Sequence, residues 1–114
     1  MSRITTHVLD TVMGKPAAGV AVRLERHAID RRQAGAWAPV STGRTDADGR
    51  CRDLAENALP GVYRLTFETG DYLKHHGRAS IYPEISITFT CSGDEHYHLP
   101  LLLSDNSYTT YRGS

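Results

Sequence analysis

The chain has 114 residues, 39% of them hydrophobic and 23% charged. Thirteen Lys and Arg balance thirteen Asp and Glu, and the charges are scattered instead of massed in a basic stripe, which argues against nucleic acid and anionic membrane as partners. This length builds one domain, residues 1–114, around one core, and leaves too little chain to enclose a substrate on all sides, so a site shared between subunits is expected.

The opening residues, Met1-Ser2-Arg3-Ile4-Thr5-Thr6-His7, hold no apolar run of signal-peptide length, and no segment reaches the length of a membrane span. A cytoplasmic location is expected. The two cysteines, Cys51 and Cys91, are expected as free thiols in that setting, and neither carries the surroundings of a reactive nucleophile.

Residues 4–12 alternate, with Ile4, Thr6 and Val8 on one face and Thr5, His7 and Leu9 on the other, which predicts a first strand. On pattern alone His7 is a half-exposed strand histidine. Residues 14–19 contain two glycines and Pro16 and read as a turn. Val20, Val22 and Leu24 then alternate with Ala21, Arg23 and Glu25, an apolar inside and polar outside. Arg26, Asp30, Arg31 and Arg32, followed by Gln33-Ala34-Gly35, read as a solvated loop.

Residues 37–44 resume strand character, with Pro39 pointing to an edge strand or a bulge. Asp46-Ala47-Asp48-Gly49 is a tight turn with Gly49 available for positive φ. The Asp-x-Asp-Gly run lacks the remaining ligands of a calcium loop. Arg44, just before the turn, reads on pattern as a solvated hairpin shoulder. Residues 51–54 make a short strand, and 55–61 a connection ending in Pro60-Gly61. In 62–69, Tyr63, Leu65 and Phe67 form the core-facing set.

Thr69 or Asp71 can cap a short helix that Gly77 ends. His75-His76 is a poor metal pair, because helix neighbours point about 100° apart and no donor follows at i+3 or i+4. Ile85, Ile87 and Phe89 form another alternating row, and 91–95 returns the chain to its last segment. There His96-Tyr97-His98-Leu99-Pro100-Leu101-Leu102-Leu103 and residues 107–112 flank Ser104-Asp105-Asn106, a turn-prone stretch, so the chain closes as a hairpin. His96 and His98 share one face, about 7 Å apart at i and i+2, and Tyr97, Leu99, Leu101 and Leu103 share the other.

About eight short strands, one short helix, no repeat and no linker describe an all-β antiparallel sandwich. The terminal His-Tyr-His-Leu-Pro-Leu-Leu-Leu-Ser run, the final Tyr111-Arg112-Gly113-Ser114, the opening Ile4-Thr5-Thr6-His7-Val8-Leu9-Asp10-Thr11 and the Gly43-Arg44-Thr45 to Gly49-Arg50 segment together resemble the 5-hydroxyisourate hydrolase family, the enzymatic relatives of transthyretin. Asp105-Asn106 departs from that family's usual turn.

The resemblance implies the transthyretin-like fold, two four-stranded sheets with one short helix, and a homotetramer in which the first, seventh and eighth strands line a channel. It implies hydrolysis of 5-hydroxyisourate to 2-oxo-4-hydroxy-4-carboxy-5-ureidoimidazoline in urate degradation, without a metal or other cofactor. It also implies His7, Arg44 and His98 as catalytic residues, with His96, Tyr111, Arg112, Gly113 and Ser114 completing the substrate site. In that scheme the histidines move protons and position water, neither being singled out as the base, and Arg44 holds the planar substrate. A zinc site of His7, His96 and His98 is the alternative mechanism, less suited to a neighbouring arginine. A transthyretin-type carrier of an aromatic ligand is the alternative function, less suited to a polar lining that must be desolvated.

Overall fold

In a computed structural model that describes residues 1–27 and 35–113, the order of elements is β1 (Ser2–Asp10), β2 (Lys15–Pro16), β3 (Ala21–His27), β4 (Trp37–Arg44), β5 (Arg50–Ala58), β6 (Gly61–Phe67), α1 (Thr69–His75), β7 (Ile85–Cys91), β8 (His96–Leu103) and β9 (Tyr108–Thr110). The loop assigned to the Arg31-Arg32 cluster lies outside the described residues. The strands form two sheets. One follows the order β2-β1-β8-β9 with β5 also paired to β1, and the other runs β4-β3-β6-β7.

The alternating rows predict the core well, because burial of every second side chain is what ties a strand to its sheet face. Ile4 and Val8 of β1, Leu24 of β3, Tyr63, Leu65 and Phe67 of β6, and Leu101 and Leu103 of β8 are all fully buried between the sheets. Ile87 and Phe89 of β7 pack against the same cluster. Cys51 and Cys91 are buried free thiols in it. Burial pushes the Cys51 thiol up and the Cys91 thiol to about 11, which keeps both protonated and inert.

Three features differ from the sequence reading. The first sheet has five strands, not four, because Lys15 and Pro16, inside the expected turn, pair with Asp10 and Leu9. The sandwich is not wholly antiparallel: β1 and β8 run parallel from Arg3↔His96 to Asp10↔Leu103, a pairing that side-chain periodicity does not encode. Strand β5 continues to Ala58, beyond the expected end at Leu54, with register shifts against β1 on either side of Ile4. Such bulges break the alternating pattern that would have revealed the strand.

Pro39 does lie on an edge strand, opposite Glu25 where β3 and β4 slip register. The turn before β5 closes through the Gly49 N–H donating to the Asp46 carbonyl at 2.9 Å. Gly49 has φ of 77°, and a Cβ there would stand 2.4 Å from the Val8 carbonyl oxygen, so only glycine fits both the turn and its approach to β1. Helix α1 starts after Glu68 without a side-chain cap, not at a Thr69 or Asp71 cap. It ends as expected, with the Gly77 N–H on the Lys74 carbonyl and the Arg78 N–H on that of Leu73.

Candidate active site

On β8 the buried Tyr97, Leu99 and Leu101 leave His96 and His98 no choice but the outer face. Parallel pairing then sets Thr5 beside His98 and Arg3 beside His96. On the other flank of β1, antiparallel pairing sets His7 beside Arg50. Three strands therefore deliver Arg3, Thr5, His96, His98, Arg50 and Arg52 to one open cleft of about 200 Å³. The His7 ring sits 6.5 Å from that of His98.

Each imidazole is held by one nitrogen. His7 donates from Nε2 to the Asp48 carbonyl at 2.9 Å, in the turn preceding Arg50. His98 Nδ1 meets the Thr5 hydroxyl at 2.7 Å, and the same hydroxyl meets His96 Nε2 at 2.7 Å. Thr5 is nearly inaccessible, His98 half-buried and His96 exposed. Burial, followed by the charges of Arg50, His96 and His7, holds the His98 pKa below the ordinary histidine value, so the ring is a neutral proton acceptor near pH 7. Among the described residues no group of three His, Cys, Asp or Glu stands where it could hold a metal ion.

The chain's end reaches the same place. Gly113 bridges to His98 across the sheet and donates its N–H to the His98 carbonyl at 2.7 Å. A Cβ on Gly113 would come within 2.6 Å of His98 Cδ2, so the backbone itself forms the wall against which the ring rests. The regular strand ends earlier than expected, at Thr110.

The structure brings together only part of the expected set. His7, His96, His98 and Gly113 converge. Arg44 does not: it lies at the end of β4 in the opposite sheet, donates to the Gly19 carbonyl at 3.0 Å, and lines a different hollow with Arg23, Thr42 and Glu68. That hollow, about 490 Å³, is larger than the histidine cleft, but among the described residues its lining holds no histidine and its one carboxylate, Glu68, is bonded to Arg23. Arg112 turns aside as well, its guanidinium 4.4 Å from the centre of the Tyr97 ring and 3.5 Å from Glu95. Tyr111 is exposed beyond β9, and Ser114 lies outside the described residues.

Arg50 and Thr5, which line the cleft, are not among the expected residues. Arg50 stands in the same segment, Gly43 to Arg50, as Arg44, and only the β1–β5 pairing brings one of them to the cleft. Thr5 shares a face with His7 by simple alternation, which was a usable signal.

A family model described as the HIUase/Transthyretin family matches residues 4–113. The 5-hydroxyisourate hydrolase of Mus musculus is 45% identical over 116 residues, covering 99% of this chain and 96% of that protein. That of Caulobacter vibrioides is 46% identical over 120 residues and covers all of both. Among solved structures, Klebsiella pneumoniae 5-hydroxyisourate hydrolase superposes with a TM-score of 0.86 at 36% identity over the whole of both chains. Sea bream transthyretin in complex with thyroxine gives 0.90 at 33% identity, over 97% of this chain and 94% of that one.

Proposed function

The chain belongs to the HIUase/Transthyretin family, and from that premise we propose that its outer-sheet cleft opens the ring of 5-hydroxyisourate by hydrolysis, in the degradation of urate. The observation that carries this reading is the register-enforced meeting of His98, His7 and Arg50 on one sheet face. Backbone shape does not separate hydrolase from carrier, since the chain superposes on both. The lining does, because a site of titratable and cationic groups is costly to bury under an apolar ligand and useful beside an anionic transition state.

Water attack on a ring carbonyl needs a base, a stabiliser for the oxyanion and an acid for the leaving nitrogen. His98, neutral and tied at Nδ1, takes the water proton on Nε2. Arg50 replaces Arg44 in the role of binding the planar substrate and the developing negative charge, with donors suited to a bidentate grip. His7, whose Nε2–H stays on the Asp48 carbonyl, acts as the acid in its doubly protonated form, giving the Nδ1 proton to the departing nitrogen and ending as the neutral ring.

A homotetramer completes the cleft in this reading. Leu9 and Leu102, register partners on the same outer face, are only half-buried in the single chain, and a second copy laid against them would exclude water from the site. The proposal also places the protein in the cytoplasm, in keeping with two free thiols. Absorbance of freshly made 5-hydroxyisourate tests the function. Catalytic decay supports it, whereas stoichiometric binding of an aromatic ligand with no acceleration of decay would turn the reading to a carrier.

A further inference from the structure

The Thr5 hydroxyl touches two imidazoles but owns a single proton. It can donate to only one of them and must accept from the other, so the tautomers of His96 and His98 are linked. If Thr5 donates to His96 Nε2, it accepts from His98 Nδ1–H, and the Nε2 lone pair of His98 is left for the cleft. If Thr5 donates to His98 Nδ1, it accepts from His96 Nε2–H, and His98 presents Nε2–H instead. We propose that His98, Thr5 and His96 form a proton relay, in which Thr5 positions His98 as a base and His96 receives the proton that His98 collects. The proposal rests on the hydrolase reading and extends it to residues for which that reading has no task.

The protons balance. Water gives a proton to His98 Nε2, which makes the ring a cation. Its Nδ1 proton passes to Thr5 Oγ1, the Thr5 hydroxyl proton passes to His96 Nε2, and the cation now sits on His96. His98 is again neutral, carrying Nε2–H; when that proton leaves through the open cleft, His96 returns its own through Thr5 to His98 Nδ1, which restores the base for the next turnover.

Direction follows from surroundings. His98 is half-buried with Arg50 and Arg52 on β5, His7 and Arg3 on β1, and His96 on its own strand, and a cation there is disfavoured by burial and by like charge. Arg112, from the far flank, faces Tyr97 and Glu95 instead. His96 is exposed, so water solvates the charge once it arrives. Hydroxyl relays of this length need only short bonds, and both are 2.7 Å.

Three variants separate the parts. Thr5→Val keeps shape and loses the hydroxyl, Thr5→Ser keeps the hydroxyl, and His96→Gln accepts from Thr5 without taking a proton. The readouts are kcat and KM across pH 5–9, and imidazole 15N shifts of the substrate-free protein. In the native chain His96 and His98 should titrate as one coupled pair with His98 favouring Nδ1–H. Thr5→Val should uncouple them, shift the acidic limb of the profile and lower kcat about tenfold, with KM within about twofold. His96→Gln should keep the His98 tautomer yet lose kcat similarly, and Thr5→Ser should restore the native profile. Independent titration of the two rings in the native chain would overturn the relay whatever the activity. So would a Thr5→Val or His96→Gln enzyme with native kcat and pH profile. Failure of every form to hydrolyse the substrate would count against the hydrolase reading, leaving the 15N titration to judge the relay. If Thr5→Val does not fold, Thr5→Ser and the exposed His96→Gln decide.

Discussion

At the scale of single residues, the cleft contains the expected histidines but not the expected arginine. Alternation puts His7 and His98 on strand faces away from the apolar rows, but the family resemblance is what singles them out as site residues. Arg44 and Arg50 flank one turn, six positions apart in the sequence, and only pairing of β5 with β1 shows that Arg50 enters the cleft. Gly113, expected only as part of the substrate site, backs directly onto the His98 ring, where a Cβ would come within 2.6 Å of Cδ2. Gly113→Ala should therefore push that ring off the Thr5 hydroxyl and lower kcat at least tenfold. The position lies outside the buried core, so the melting temperature should move by no more than a few degrees. Steady-state kinetics beside a thermal melt check this, and native kcat in the variant would show that the ring does not depend on the glycine.

At the scale of elements, each strand with regular alternation was predicted, whereas two-residue β2 was read as a turn and bulged β5 was read as ending at Leu54. The helix was legible from its turn residues, but what fastens it was not. Asp10, at the end of β1, is buried and accepts from Tyr72 of α1 at 2.8 Å and from Arg78 at 2.6 Å and 3.1 Å. Arg78 reaches on to Asp105 in the β8–β9 turn at 2.7 Å. Burial alone would raise the Asp10 pKa, but the bonds from Arg78, the Met13 N–H and Tyr72 outweigh it and bring it down to about 2. A carboxyl with a folded pKa below its unfolded value stabilises the fold above the unfolded pKa, and that contribution is lost as pH falls from about 5 toward 2. Its size is about 2 kcal/mol. Tyr72 acts at the other end: burial and then Asp10 push it to about 12, so its contribution disappears as pH rises from about 10 through 12. Urea unfolding should show Asp10→Asn weakened by about 3 kcal/mol at pH 7, with a flatter acid limb than the native chain. An unchanged acid limb would remove Asp10 from this role.

At the scale of the whole molecule, the sandwich was legible as a class, because alternating rows demand a partner sheet, whereas the parallel pairing of β1 with β8 that builds the cleft had no local signal. The cleft is open on its outer side, and the half-buried Leu9 and Leu102 beside it belong under a second copy in the proposed tetramer. Leu102→Arg should split that assembly and cost at least tenfold in activity while the single chain stays folded, as followed by sedimentation and melting. A fully active monomer would contradict the shared site. In the proposed mechanism chemistry occurs on the five-stranded sheet, at the histidines beside Arg50 and not in the larger hollow around Arg44. The most direct measurement is the rate of 5-hydroxyisourate decay with the native chain, Arg50→Ala and Arg44→Ala, compared at equal protein concentration. Arg50→Ala is expected to lose about a hundredfold to a thousandfold in kcat, and Arg44→Ala to stay within about twofold of native. Collapse of activity in Arg44→Ala, with Arg50→Ala intact, would contradict that mechanism.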